Sequence, residues 1–236
     1  MISLVFRKCF VAEVLSAIFS LLIMIINTIF IGNFLGPESL AAYGYIYVLM
    51  VLVFGLGQML TLGSEIVASK YLGDGQREHA NRTFCSVFFF SLVAGLLLSA
   101  IFYIFMNPII TALCTVDSVA VKEIAKDYFV TLVPSACLGL MLLALGPYAQ
   151  LNNKQKQYTI SMVTVFVSTV FFNILACFVF KNGMFGVGLA SSLSFAIGLL
   201  LLYLLCLRKS NLFKLKLRLF KFTYIASVLR EGFMNF

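Results

Sequence analysis

The feature that most constrains this chain is a series of six apolar stretches separated by short clusters of charged residues. About 20 apolar residues in a helix cross the ~30 Å hydrocarbon layer of a bilayer. With 62% hydrophobic and 11% charged residues, the chain lies outside the composition of soluble domains. We therefore predict an all-α integral membrane protein, with a six-helix bundle over residues 1–207 and a tail over 208–236. The predicted spans lie near residues 9–31, 41–69, 83–105, 124–149, 157–180 and 187–207.

The distribution of basic residues predicts the orientation of these spans. An even number of spans places both termini on the same side, and cytoplasmic segments carry an excess of Lys and Arg. Three of the seventeen basic residues lie in the first, third and fifth loops, namely Lys122, Lys126 and Lys181. The other fourteen lie in the termini and the even loops, at Arg7, Lys8, Lys70, Arg77, Arg82, Lys154, Lys156, Arg208, Lys209, Lys214, Lys216, Arg218, Lys221 and Arg230. We expect a multi-pass protein of the cell membrane with both termini in the cytoplasm.

Small residues and prolines predict how the spans pack. Small side chains recur every fourth residue over 186–198 in the sixth span and 91–99 in the third, a pattern typical of close helix contacts in lipid. Pro134 and Pro147 should bend the fourth span. In the tail, Lys214, Lys216 and Arg218 alternate with leucines, and we expect this amphipathic segment to lie along anionic headgroups at the cytoplasmic surface.

Polar side chains inside the spans are candidates for function because burial in lipid is costly. Asn27 lies about 27 Å along the first span and Asn173 about 24 Å along the fifth, so the two amides share one outer level. Thr28 adjoins the first amide, while Thr169 and Cys177 lie one turn from the second. If the first and fifth spans are neighbours, these groups line one polar cavity. The alternative is that each amide bonds a neighbouring backbone and only holds helices together.

Three further polar residues lie deeper in the spans. Gln58, near the middle of the second span beside two glycines, either contacts a solute or satisfies a kinked backbone. Glu13 and Glu65 lie one to two turns inside the cytoplasmic ends of their spans. They are either paired with cations such as Arg7, Lys70 or Arg77, or they form a site for a proton or another cation.

The sequence offers little support for other classes of function. The loops are short and carry no nucleophile elbow, zinc-protease helix, phosphate loop or dinucleotide fingerprint, so an enzyme is not expected. The six cysteines are scattered and His79 is the single histidine, which predicts no metal site and no cofactor. The net charge of +8 is explained by orientation, and we expect no nucleic-acid partner.

Five motifs in order give the chain a family resemblance. Residues 27–42 resemble the pattern D-T-x-F-x-G-x-x-G-x-x-x-L-A-A of the first span of multidrug and toxic compound extrusion (MATE) transporters. Residues 69–80 resemble the first cytoplasmic loop of that family, 173–174 and 186–190 its fifth-span N-I and the G-x-x-G-x-A turn, and 215–232 the linker to the seventh helix. The resemblance implies one lobe of a twelve-helix transporter whose two six-helix lobes exchange cationic, amphipathic drugs for protons or sodium.

Two departures from the family pattern affect energy coupling. The acidic residue of the first span is replaced by Asn27, and the acidic residue four after the fifth-span Asn is replaced by Cys177. A neutral amide does not change charge at physiological pH. Coupling is then expected to use Glu13, Glu65, sodium held by neutral oxygens, or carboxylates of a second lobe.

These observations lead to one main expectation and two alternatives. The main expectation is an antiporter, or its N-terminal half, with Asn27, Thr28, Gln58, Thr169 and Asn173 lining an outward-opening cavity for a cationic or amphipathic substrate. Its partners would be the bilayer and a second lobe or a second copy. The alternatives are a lipid-linked sugar flippase, which a central Arg or Lys would favour, and a membrane partner that does not transport.

Overall fold

The computed structural model describes residues 2–114, 119–208 and 213–235. The described part of the chain contains eight α-helices and no β-strand. The helices are α1 (Ile2–Phe30), α2 (Pro37–Gly73), α3 (Arg77–Ile104), α4 (Met106–Leu113), α5 (Val119–Leu151), α6 (Gln155–Ile174), α7 (Gly183–Leu202) and α8 (Phe222–Asn235).

Six of these helices are long and apolar enough to cross a membrane, which confirms the predicted number of spans. The spans lie at Phe10–Leu35, Pro37–Gly73, Arg77–Ile104, Val119–Leu151, Gln155–Phe180 and Gly183–Cys206. Most of them extend several residues past the predicted ends, because their terminal turns are polar and leave no hydropathy signal. The short helix α4, after the third span, was not predicted. The bundle end that carries Phe10 is called the inner end below, following the predicted orientation, and the opposite end is the outer end.

Three of the spans end in a π-helical turn. These turns cover Ile31–Leu35 after α1, Leu175–Phe180 after α6 and Tyr203–Leu207 after α7. A π turn inserts an extra residue into the helical repeat and is frequent near functional sites. The first two turns meet at the outer end, where the rings of Phe34 and Phe178 are 4.8 Å apart.

Helix α5 lies at the centre of the bundle. It packs against α2, α3 and α7, and 83% of the residues in its most apolar stretch are buried inside the bundle. Each of its two prolines leaves the carbonyl four residues earlier without its helical donor. Tyr103 of α3 donates to Val130 O at 2.6 Å, and Thr61 of α2 donates to Leu143 O at 3.0 Å. Hydroxyl groups of neighbouring helices therefore replace both lost hydrogen bonds.

The small-residue stripes lie at helix contacts, as predicted. A Cβ added to Gly198 of α7 would lie 2.1 Å from Val165 Cγ2 of α6. A Cβ added to Gly95 of α3 would lie 2.7 Å from Cys137 Sγ of α5. Ser99, on the same stripe, donates to Val133 O at 3.4 Å. Glycine at these two positions lets the helices approach closely.

Helix α1 is attached to the bundle mainly through α6. The contact includes the rings of Phe19 and Phe166, whose centroids are 5.6 Å apart, and the Phe34–Phe178 pair at the outer end. The first and fifth predicted spans, which are α1 and α6, are therefore neighbours. The inner part of α1 leaves one side open toward α2 and α5.

The tail docks onto the inner end of the bundle. Helix α8 packs against α2 and α3, with Tyr224, Ile225, Val228 and Gly232 buried. A Cβ added to Gly63 of α2 would lie 2.0 Å from Val228 O, so the two helices touch backbone to backbone. Lys209 and Leu212 of the predicted tail lie outside the described residues, and the predicted division at residue 207 stays a prediction.

Candidate functional site

The two amides predicted to share one level are in direct contact. Asn173 Nδ2 of α6 donates to Asn27 Oδ1 of α1 at 2.7 Å. Asn27 is 6% exposed and Asn173 is 0% exposed. Asn173 Oδ1 accepts no hydrogen bond within the part of the chain that the structure describes. One buried acceptor thus remains free for a water, an ion or a polar group of a ligand.

A cavity of about 230 Å³ lies on the inner side of Asn27, between α1, α2, α5 and α7. We call it the middle cavity. Its polar lining consists of hydroxyl and amide groups and its apolar lining is rich in Met, Leu and Phe. The lining residues are Ser20, Leu21, Ile23, Met24, Asn27, Tyr43, Tyr47, Met50, Phe54, Gln58, Tyr128, Leu132, Ser135, Leu142, Leu143, Met162, Ser191 and Phe195. None of them is charged, so the described wall of this cavity is neutral.

Three tyrosines close the outer end of the middle cavity. Tyr43 and Tyr47 of α2 lie one turn apart with ring centroids at 5.6 Å, and Tyr128 of α5 lies 5.8 Å from Tyr43. Tyr47 donates to Met24 Sδ of α1 at 3.0 Å, and the Tyr43 hydroxyl interacts with the Thr28 side chain. Sequence reasoning missed these tyrosines. Their spacing of four residues in a predicted span was the signal that could have found the first two.

A second cavity, of about 350 Å³, continues from the middle cavity toward the inner end. We call it the inner cavity. The two share Ser20, Leu21, Gln58, Leu143 and Met162, and the inner cavity adds Glu13, Ser16, Ala17, Thr61 and Tyr158. The shared residues show that the two cavities are adjacent along α1. Gln58 lies at the junction, and its side chain is exposed to both cavities.

One of the two glutamates of the spans, Glu13, lines the inner cavity. Gln150 Nε2 of α5 donates to Glu13 Oε1, whereas Glu65 lines neither of the two cavities. The ion pairs expected with Lys70 or Arg77 are not found among the described residues, where Arg82–Glu78 is the single salt bridge. The side chain of Arg7 lies outside the described residues. The partner of the Glu13 carboxylate is therefore the neutral amide of Gln150, and not one of the cations considered from the sequence.

Not every predicted site residue lines a cavity. Asn27 and Gln58 line the middle cavity and Glu13 lines the inner one, but Thr28, Glu65, Thr169 and Asn173 line neither. The hydroxyl of Thr28 donates to Met24 O at 3.0 Å, and that of Thr169 donates to Val165 O at 2.8 Å. Both threonines therefore satisfy their own helices, and Asn173 lies behind Asn27 as seen from the cavity.

Comparisons with known proteins agree with this architecture. The chain matches a MATE transporter solved in complex with MaD3S, with a TM-score of 0.86 and 18% identity over 97% of this chain and 52% of that one. It matches an outward-facing multidrug resistance MATE family transporter of the MOP superfamily, with a TM-score of 0.85 and 18% identity over 97% and 51%. It also matches a MOP superfamily transporter from Pyrococcus furiosus, described as having a binding pocket of reverse polarity, with a TM-score of 0.83 and 20% identity over 97% and 51%.

The chain spans about half the length of these structures, so it corresponds to one of their halves. At these identities the matches establish the fold alone. No curated protein matches the chain significantly. The profile of the MatE family matches residues 13–179, which is more than half of the chain and includes the two amides and both glutamates. The chain therefore belongs to the MatE family.

Proposed function

We propose that this chain is one lobe of a secondary active antiporter that moves cationic or amphipathic small molecules in exchange for protons or sodium. The observation that carries the proposal is the adjacency of the middle and inner cavities, which share Gln58 and four other lining residues. A neutral, aromatic wall at the level of Asn27 lies beside a cavity that contains the carboxylate of Glu13. A substrate site and an ion site in adjacent cavities can compete, and such competition couples the two fluxes.

The chemistry of the middle cavity favours organic cations. The faces and edges of Phe54 and Phe195, whose centroids are 5.9 Å apart, offer apolar area for an amphipathic ligand. Methionine side chains adapt to ligands of different shape. The amide oxygens of Gln58 and Asn27 and the π-systems of the tyrosines attract positive charge without a formal negative charge. These features support a broad specificity for amphipathic cations.

The flippase alternative has less support. Lipid-linked sugars carry phosphates, which arginine and lysine bind best. The described residues that line the two cavities include no arginine or lysine. The wall therefore provides no group to neutralise a phosphate, and we prefer the cation exporter.

For ion coupling we propose the inner cavity. Glu13 lines this space and accepts a hydrogen bond from Gln150, and its carboxylate oxygens can bind a proton or a sodium ion; Glu65 of α2 is the second carboxylate of the spans. The hydroxyls of Ser16 and Thr61 supply neutral oxygens in the same cavity. Asn27 occupies the position of the family's acidic residue and does not titrate, which moves the proposed coupling from the outer level to the inner end.

We further propose that both termini face the cytoplasm and that transport needs a second lobe. Alternating access in such transporters is a rocking of two repeats around a central site. A single lobe offers one wall of that site. Self-pairing or a separate six-helix partner would supply the other wall.

The proposal is tested by gradient-driven uptake of tetraphenylphosphonium into proteoliposomes. We expect no uptake above that of protein-free liposomes when cross-linking shows that the chain is monomeric, and uptake above that level when it pairs with itself or with a second lobe. In the active form, Glu13→Gln should abolish the dependence on the ion gradient. Glu38→Gln is the matched control, since Glu38 lies in the first turn of α2 at the opposite end. Uptake by proven monomers, or unchanged coupling in Glu13→Gln, would contradict the proposal.

A further inference from the structure

A strip of four basic side chains lies on the surface of the inner end. Lys214, Lys216, Arg218 and Lys221 are all exposed, and we call them the basic strip. Leu215 and Leu219, which alternate with them, are half-buried and pack against the core. The segment from Phe213 to Lys221 thus turns its charges outward and turns Leu215 and Leu219 toward the bundle.

Hydrogen bonds to α3 fix both ends of this segment. Lys214 N donates to Asn81 Oδ1 at 2.7 Å, and Cys85 Sγ donates to Lys214 O at 3.2 Å. At the other end, Ser86 Oγ donates to Lys221 O and accepts from Lys221 N, both at 3.1 Å. The direction of the basic side chains is therefore set by the fold of the segment.

Aromatic packing adds to these bonds. Phe213 is 2% exposed, and its ring lies 5.4 Å from that of Phe84 and 5.2 Å from that of Tyr148. The buried ring anchors the start of the segment in the core. Anchoring at both ends leaves the charges on a defined surface.

The contacts of the strip place it at the edge of the bilayer. Its partners Asn81, Cys85 and Ser86 lie in the first three turns of α3, a membrane span, and the ring of Phe220 is 6.5 Å from that of Phe89 one turn deeper. Phe220 is 41% exposed and Phe222 is 68% exposed. Aromatic rings beside cations at the end of a span are typical of the interface between headgroups and acyl chains.

The protein does not neutralise the basic strip. None of its four cations forms a salt bridge within the described ranges, and the nearest acidic residue on α3, Glu78, is paired with Arg82 at 2.6 Å. Glu231 of α8 lies ten residues after Lys221 in the sequence, more than two turns along the helix. Four exposed cations without a salt bridge on one short segment create a positive local potential that attracts an external anion.

We propose that the basic strip binds the phosphates of anionic phospholipids in the leaflet that borders the inner end, with Phe220 and Phe222 at the acyl boundary. The occupant is a lipid, because the strip is flanked by exposed aromatic rings and attached to a span. Each basic residue near an anionic surface contributes an attraction equal to about a fivefold change in affinity. The bound lipids would also hold the segment that leads to α8 against α3. This site is independent of the transport proposed above.

The absence of tryptophan from the sequence provides the test. Phe220→Trp creates a single emitter beside the strip in the full chain. The protein is reconstituted into vesicles of phosphatidylcholine and phosphatidylglycerol, with bromine on the acyl chains of one lipid or the other at equal total bromine. We expect stronger quenching by brominated phosphatidylglycerol, which reports local enrichment of the anionic lipid. Phe222→Trp serves as a second reporter if Phe220→Trp lowers the helix content.

Three variants give the controls. Changing all four basic residues to Gln should remove the preference for phosphatidylglycerol, whereas changing Lys214, Lys216 and Lys221 to Arg should keep it. Ile104→Trp, at the outer end of α3 and 74% exposed, should be quenched equally by both lipids. Circular dichroism checks that each variant retains its helices.

Two results would overturn the proposal. Equal quenching of both strip reporters by the two lipids would show that the strip does not select anionic lipid. Loss of the preference for brominated phosphatidylglycerol on addition of inorganic phosphate, at an ionic strength matched with sodium chloride, would show a site for free anions. The preference should also weaken as salt is added, because both partners are exposed to solvent.

Discussion

At the scale of single residues, the contact between Asn27 and Asn173 decides how α1 is held at its outer level. Both amides are buried, and one hydrogen bond of 2.7 Å joins two helices that are far apart in the sequence. A buried polar group without a partner costs more than a hydrogen bond contributes. Each amide is therefore tolerated mainly because the other is present.

This arrangement predicts a non-additive pair of substitutions. Asn27→Leu leaves the Asn173 amide unpaired and should destabilise the protein by about 1–3 kcal/mol, while Asn27→Leu with Asn173→Leu should be close to neutral. Unfolding in mixed micelles, followed by circular dichroism, measures both. Asn33→Ala is the matched control, because Asn33 is exposed and bonds Ile29 O of its own helix. Additive costs for the two leucines would show that the amides do not depend on each other.

The carbonyl of Leu143, which lacks a helical donor because of Pro147, gives a second prediction of non-additive substitutions. Thr61 donates to Leu143 O, which Pro147 leaves without its helical donor. Thr61→Val should cost about 0.6–1.7 kcal/mol in the native background. In a Pro147→Ala background the backbone N–H at position 147 satisfies Leu143 O, so the same change should cost much less. Thr164→Val, at a hydroxyl that bonds its own helix, should cost little in either background. An equal cost of Thr61→Val in both backgrounds would contradict this role.

At the scale of helices, the six spans could be predicted because their apolar runs are long and are interrupted by charges. The ends of the spans could not be, since the terminal turns of α2 and α5 are polar and continue as helix only through hydrogen bonds and packing. Helix α4 covers eight residues and gives no signal in a loop. The π turns depend on tertiary contacts such as Phe34 with Phe178, which leave no periodic pattern in one sequence.

The crossing of α8 over α2 gives a prediction for glycine. Gly63→Ala places a methyl group 2.0 Å from Val228 O, and this backbone atom moves only if α8 moves. We expect α8 to detach, so that trypsin cleaves at Arg230 faster than in the native chain. Gly55→Ala is the control on the same helix, because no atom lies within 4 Å of the added methyl group. It should leave cleavage unchanged and add up to about 1 kcal/mol of helix stability. Equal cleavage in both variants would show that the close approach does not hold α8.

At the scale of the whole molecule, only some residues of the candidate site could be predicted from the sequence. The rise of an α-helix placed Asn27 and Asn173 at one depth, and the structure joins them. The lateral arrangement of the helices was not available, so the hydrogen bond from Gln150 to Glu13 and the position of Gln58 between two cavities could not be derived. The tyrosines at the outer end were missed because a tyrosine in a span is common and its burial depends on neighbours in other helices.

The replacement of two acidic residues of the family pattern by Asn27 and Cys177 is compatible with the proposed transport. The neutral amide at position 27 lines the middle cavity, and Glu13 lines the adjacent inner cavity. The proposed substrate wall and the carboxylate of Glu13 are therefore separated along α1. A cation entering the middle cavity would meet aromatic rings and amides first and carboxylates only toward the inner end.

The most direct test of the account is the binding of an organic cation to the middle cavity. Tetraphenylphosphonium and tetraphenylborate have the same shape and opposite charge, and their saturable binding to the chain in phosphatidylcholine nanodiscs can be measured at equilibrium. We predict that the cation binds more tightly and that Gln58→Leu weakens its binding about tenfold, the equivalent of ~1.4 kcal/mol, while Asn33→Ala leaves it unchanged. Equal binding of the two ions, or cation binding that Gln58→Leu does not change, would contradict a cation site in this cavity.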